Sequence, residues 1–169
     1  QLLRAMARLW PYAEGEVRCP GGHAALFLSQ RPYLPLGSLR TAVAYPAVST
    51  PSDDDRLAQA LRQVSLTHLA DRLDHSEDWT RILSIGEQQR LAFARVLFNR
   101  PQVVFLDEST SAMDEGLEHA LYTLLRERLG ESILVSVGHR STLSGLHTHH
   151  LQLEGTGVWT LAELKENAL

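Results

Sequence analysis

The order of elements between Ser84 and Val137 constrains this chain more than any other feature. Ser84 and Glu87 stand at the spacing where a hydroxyl and a carboxylate cap a helix start reciprocally. A helical pattern then runs over 86–99 and ends before Pro101. Val103 to Leu106 is an unbroken apolar run, as expected for a parallel strand covered on both faces. A second helix is predicted over 115–129, through Leu117, Leu121, Leu124 and Leu125, with Gly130 as its C′ residue. Ile133 to Val137 reads as a second buried strand. Strands alternating with helices need crossovers, so the predicted fold class is α/β with a parallel sheet.

The flanking segments fill in around this unit. Residues 1–10 read as the tail of a helix through Leu2, Leu3, Met6 and Leu9, stopped by Pro11. Short strands are predicted over 15–18 and 25–29, separated by Pro20-Gly21-Gly22. The stretch 31–52, rich in Pro, Gly and Ser, reads as loop with one short helix. From Asp53 to Leu73, the residues Leu57, Ala60, Leu61, Val64 and Leu69 form one apolar helical stripe. That stretch suits a small helical subdomain inserted into the α/β core. Leu151–Leu153 and Val158–Leu161 flank Glu154-Gly155-Thr156-Gly157 and predict a hairpin.

Composition narrows the partners. At 169 residues the chain makes one domain or part of one, and a chain of this size buries roughly 70% of its unfolded surface. Its 16 basic and 20 acidic residues give a net charge of −4, and Lys165 is the only lysine. With no basic stripe and no polybasic run, neither nucleic acid nor a lipid surface is an expected direct partner. The single cysteine, Cys19, excludes an internal disulfide, fits a reducing compartment, and is expected in a buried strand. No apolar stretch is long enough to span a bilayer, so a membrane role would come through another domain.

Chemistry concentrates where strands end. Asp107 and Glu108 close the Val103–Leu106 run, and open α/β sheets bind ligands outside the carboxyl ends of their strands. Gln30 follows the apolar run 25–28, and its amide both donates and accepts hydrogen bonds. His139 follows the 133–137 run, and an imidazole can stand between a phosphate and a catalytic group. The helix start at Ser84 offers free N–H groups and a partial positive charge that suit an anion, and Gly86 permits close approach to the backbone. Asp114 is placed to cap the 115–129 helix. Each residue has an ordinary structural reading when taken singly: a capped helix, helix-capping acids, a loop histidine. His147, His149 and His150 lack further ligand groups to complete a tetrahedral metal site. Trp79 and Trp159 read as packing residues, and Tyr33 as either core or interface.

Taken together, the residues carry a resemblance. Leu83-Ser84-Ile85-Gly86-Glu87-Gln88-Gln89-Arg90, followed by Leu91-Ala92-Phe93-Ala94-Arg95, resembles the signature motif of the ABC (ATP-binding cassette) ATPases. Val103-Val104-Phe105-Leu106-Asp107-Glu108 resembles their Walker B strand, Ser111-Ala112-Met113-Asp114 their D-loop, and Val137-Gly138-His139-Arg140 the segment of their switch histidine. The resemblance implies a P-loop NTPase-like parallel-sheet core with an inserted helical subdomain, incomplete at its N-terminus. Residues 1–169 would form part of one such domain. Within it, 31–100 would hold the Q-loop, helical subdomain and signature helix, and 101–169 the Walker B strand, D-loop, switch histidine and hairpin. The implied cofactors are ATP and Mg²⁺. Glu108, His139 and Gln30 would be catalytic, and Asp107 and Gln30 would hold Mg²⁺. Ser84, Gly86, Glu87 and Asp114 would face an ATP held by a partner subunit. Met113 stands where relatives usually carry Leu, a volume-conserving change.

One motif is missing. A phosphate-binding loop needs Gly-x-x-x-x-Gly-Lys-Ser/Thr, and no such run occurs here. In relatives the equivalent of Leu2-Leu3-Arg4-Ala5 to Leu9-Trp10-Pro11 directly follows that loop. The loop, the first strands and an adenine-stacking aromatic are therefore expected upstream of residue 1. This chain by itself is expected neither to bind ATP tightly nor to hydrolyse it. The segments 27–35 and 37–40, Trp79 and 137–143 resemble the peroxisomal fatty-acyl transporters of subfamily D and their bacterial relatives, which fuse a permease to the ATPase. That branch implies a dimer of half-transporters on the cytoplasmic face of a membrane, bacterial inner membrane foremost. Two other readings stay open: a soluble ABC ATPase unconnected with transport, and a subunit that lends its signature to an active partner.

Overall fold

A computed structural model describes residues 1–139 and 141–165. A three-stranded parallel sheet of order β1-β4-β5 forms the centre. Its strands are β1 (Ala25–Ser29), β4 (Val103–Asp107) and β5 (Ile133–Val137). Side chains alternate across the central strand as the two-residue period requires. Val103 and Phe105 pack with Leu3 on one face, while Val104 and Leu106 join the main core on the other. The helix α1 (Leu2–Met6) supplies Leu3.

Between β1 and β4 the chain builds mostly helices. Gly37–Ser38 (β2) pairs antiparallel with Ser76–Glu77 (β3), and the buried Trp79 pins this ribbon by donating its indole N–H to the Gly37 carbonyl at 3.0 Å. The helices are α2 (Leu39–Ala44), α3 (Asp54–Gln63), α4 (Trp79–Ile82) and α5 (Ile85–Asn99). The predicted stripe Leu57, Ala60, Leu61, Val64 and Leu69 is buried throughout. It is not one helix, however. Ser65, at φ 62°, ends α3, and Thr67–Leu69 forms a separate 3-10 turn. The Leu66 N–H donates back to Leu61 and that of Ser65 to Arg62, the hydrogen-bond pattern of a Schellman stop. Nearly every residue of α5 from Gln88 to Phe98 is buried, as befits a helix enclosed by α2, α3 and α6 (Glu115–Arg128).

Several expectations need correction. α1 ends at Met6, not at Pro11: Arg8 turns left-handed at φ 61°, and Leu9 donates to the Arg4 carbonyl. The stretch 15–18 forms no strand, and Cys19 is half-buried in the loop that follows. Among the described residues β1 pairs with β4 alone, so the 15–18 stretch has no strand to join. β5 is not buried. Ile133 is 60% exposed, because β5 pairs on one side only, at the edge of the described sheet. Gly130 follows α6 in the C′ position without a left-handed turn. The hairpin is present as β6 (His149–Leu153) and β7 (Trp159–Glu163), yet all ten of its residues are exposed, Trp159 included. Among the described residues, no helix is long and apolar enough to cross a membrane.

Candidate functional site

Strand register assembles the site. Ser29 of β1, Asp107 of β4 and Val137 of β5 are paired neighbours, so all three strands end in one row. The next residues along each chain therefore share one edge: Gln30 after β1, Glu108 after β4, and Gly138-His139 after β5. The carboxyl edge of a parallel sheet leaves such residues free of ladder constraints and open to a ligand.

Glu108 and His139 meet there. His139 Nε2 lies 2.6 Å from Glu108 Oε1, with the imidazole side chain 87% exposed and the carboxylate 33% exposed. The Glu108 backbone has a left-handed φ of 52° and donates its N–H to the Val137 carbonyl at 2.9 Å. A non-glycine residue held in this region is strained and persists only where its surroundings enforce it. Here the enforcement comes from β5. Gly138 has a packing reason for lacking a side chain, since a Cβ there would run into Leu143. Arg140, the next residue of that predicted segment, lies outside the described residues.

Asp107 closes β4 and pairs with Arg4 at 3.4 Å. The arginine is half-exposed, so the pair contributes little stability. Among the described residues, no group of three or more His, Cys, Asp and Glu side chains converges as a metal cage. A single carboxylate such as Asp107 still suits Mg²⁺, which commonly binds through one or two acids together with substrate phosphates and water.

A second set of predicted residues gathers at the start of α5. Glu87 N–H donates to Ser84 Oγ at 3.2 Å, and Ser84 N–H donates to Glu87 Oε1 at 3.1 Å, so the predicted capping box is complete. Burial pushes the Glu87 carboxyl up, but the bonds from Ser84 and the nearby His68 outweigh it and hold it below its ordinary value. The N–H groups of Ile85 and Gly86 make no hydrogen bond among the described residues, so the turn retains free donors for an anion. Gly86 has a reason within this chain too: a Cβ there would lie 3.1 Å from the Ala112 carbonyl oxygen. Asp114 caps α6 by accepting from the Leu117 N–H at 2.8 Å. No hydrogen bond or ion pair among the described residues joins Ser84, Gly86 or Glu87 to Asp107, Glu108 or His139.

Two buried polar side chains brace the loop between these sets, and single-residue reasoning gave neither a role. Gln89 is fully buried and bonds Gln30, Ser111 and Ala112. Glu118 is 2% exposed and accepts from Thr110 and, at 2.8 Å, from Thr142. The signal for both lay in helical spacing. Gln89 shares a face with Ala92, Phe93 and Val96, and Glu118 with Leu121, Tyr122 and Leu125. A polar residue on an apolar stripe must find internal partners. His147 is likewise engaged: its Nδ1–H reaches the Leu143 carbonyl, and its Nε2 meets Ser136 Oγ, each at 2.7 Å. Tyr33 is exposed and packs edge-on against Tyr45.

Comparison with known proteins gives the family. The family model described as "ABC transporter" matches residues 1–111. An uncharacterised ABC transporter ATP-binding protein of Haemophilus influenzae is 52% identical over 158 residues, covering 94% of this chain and 26% of that protein. The mouse lysosomal cobalamin transporter ABCD4 is 39% identical over 177 residues, covering 97% of this chain and 29% of that protein. This chain thus spans about a quarter of the length of these relatives. A bacterial Atm1-family ABC exporter with ATP bound superposes with a TM-score of 0.66 at 22% identity, over 78% of this chain and 24% of that one, a likeness of fold. These matches place the chain in the ABC transporter family, within its ATP-binding domain.

Proposed function

We propose that this chain is the part of an ATP-hydrolysing domain that carries the lytic residues and the signature helix. ATP-driven closure of a dimer would be coupled to movement of a substrate through a permease, on the cytoplasmic face of a membrane. The observation that carries the reading is the 2.6 Å contact of Glu108 with His139, in line with Asp107 and Gln30 at the sheet edge.

Each residue has a task in this scheme. Glu108 accepts hydrogen bonds from the attacking water and orients it, an acid–base contribution typically worth ~10²–10⁴ in rate. His139 donates its Nε2–H to the Glu108 carboxylate, and that N–H would turn toward the γ-phosphate once a nucleotide is bound. Asp107 and the Gln30 amide would hold Mg²⁺, which would supply charge neutralisation at the phosphates. Ser84, Gly86 and Glu87 offer the free end of α5 to a nucleotide held by a second copy or a paired subunit, with Asp114 at the same seam. ABCD4 is by name a lysosomal cobalamin transporter. The branch that it shares with subfamily D relatives supports a half-transporter, with the cargo left to the membrane part.

The test uses the intact polypeptide that contains this segment. Glu108→Gln is expected to lower steady-state ATP turnover at least 100-fold while leaving ATP bound in a closed dimer, read by nucleotide retention and size-exclusion chromatography. Normal turnover by that variant would remove Glu108 from this role.

A further inference from the structure

Gln89 is the most fully committed polar side chain of α5. Its carboxamide has two donor hydrogens and one carbonyl acceptor, and all three are matched. Nε2 donates to the Gln30 carbonyl at 2.9 Å and to Ser111 Oγ at 3.0 Å, and Oε1 accepts from the Ala112 N–H at 3.0 Å. Gln30 lies 59 residues away in sequence, and Ser111 and Ala112 lie 22 and 23 residues away. One side chain therefore ties three distant pieces: the residue after β1, the loop after Glu108, and the helix that begins at Ser84.

An independent contact fixes the same loop. The Ala112 carbonyl lies over Gly86, where a Cβ would be only 3.1 Å away. Ala112 is thus held from both sides, its N–H by Gln89 and its carbonyl against the glycine of the free helix start. The Gln89 carboxamide is itself fully buried and must find its partners within the protein, so an apolar side chain at 89 would remove all three ties at once.

We propose that Gln89 is a positioning residue for ATP hydrolysis. It locks the Gln30 backbone to the loop 109–114 and to α5, so that the Mg²⁺ and water ligands after β1 and β4 move as one unit with the helix end offered to a partner. This rests on the reading of the chain as part of an ATPase. Gln89 touches no reacting atom. Its effect should fall on turnover and not on ATP affinity.

The test compares Gln89→Met, Gln89→Glu and Ser111→Ala with Glu108→Gln in the intact polypeptide, with turnover normalised to folded protein. Gln89→Met is expected to lower kcat at least 10-fold, with the KM for ATP within 2-fold of the parent. Ser111→Ala, which removes one of the three bonds and leaves the core untouched, is expected to lower kcat by 2- to 5-fold. Only when protonated does the Gln89→Glu side chain offer a donor beside its acceptor, restoring two of the three bonds, so its kcat should rise relative to the parent as pH is lowered from 8 to 6. If Gln89→Met does not fold, the other two variants decide the matter. Parent-like kcat in Ser111→Ala together with a parent-like pH profile in Gln89→Glu would overturn the proposal, as would a KM that rises in step with the fall in kcat. If Glu108→Gln abolishes turnover while the Gln89 and Ser111 variants remain parent-like, only the positioning role fails. If the parent itself shows no turnover, or Glu108→Gln leaves it unchanged, the ATPase reading fails and the role of Gln89 fails with it.

Discussion

At Glu108 the backbone and the side chain are under separate demands. The left-handed φ of 52° would suit glycine, whereas the contact with His139 needs a carboxylate. Two variants separate these demands, since both remove the carboxylate and only one removes the Cβ. Left-handed backbone costs an L-residue about 1–2 kcal/mol, and glycine returns part of that through the unfolded state, so Glu108→Gly should be about 0.5–1 kcal/mol more stable than Glu108→Ala. Urea unfolding of the two variants measures the difference, and equal midpoints would mean that residue 108 stores no strain. The position of Glu108 after a buried strand was legible in the sequence. Its left-handed backbone was not, because the Val137 carbonyl that holds the Glu108 N–H arrives only once β5 has paired.

Among elements, β5, at the edge of the described sheet, is held to its neighbours by a polar network. Its Ser136 accepts from the Tyr122 hydroxyl of α6 at 3.0 Å and meets His147 Nε2 on its other side. With Nδ1–H donating to Leu143 and Nε2 accepting from Ser136, His147 is neutral in this network. Burial lowers its pKa from the ordinary 6.5, and the charge of Arg126 adds to that. The same burial pushes the Tyr122 hydroxyl up to about 12. At His147 the folded state thus binds the imidazole proton less readily than the unfolded chain does. The stability that neutral His147 supports is complete above the unfolded pKa of 6.5 and is lost as pH falls from there through the lowered folded value. His147→Gln should therefore flatten the dependence of the unfolding midpoint on pH between 7.5 and 5. An unchanged slope would show that other groups set it. The pattern of three nearby histidines gave no hint of this arrangement, because Ser136 and Tyr122 come from two other elements. The capping box of α5 was fully legible, since it needs only residues three apart.

Over the whole molecule, stability is unevenly spread. The main core runs from β1 and β4 through α5 to the helices inserted between them, while the β6–β7 hairpin stands out of it with every residue exposed. Leu106 is fully buried and Trp159 is 62% exposed. Leu106→Ala should cost about 2–5 kcal/mol, and Trp159→Ser should stay within about 0.5 kcal/mol. Thermal or denaturant unfolding of both variants checks the contrast. A large loss at Trp159 would reveal a packing partner for the hairpin.

The sequence by itself determined what depends on near neighbours. The apolar run 103–106 made a buried strand, the Ser84–Glu87 pair opened α5, and Asp114 capped α6. It also carried the family resemblance, which the relatives bear out. Only the tertiary structure decided which distant groups meet: Glu108 with His139 across paired strand ends, Gln89 with Gln30 and Ala112. It also decided that β5 lies at the edge of the described sheet and that Trp159 faces solvent. The physical reason is range. Helix caps and apolar periodicity act over a few residues along the chain, whereas a hydrogen bond spanning 59 residues depends on how strands and helices pack.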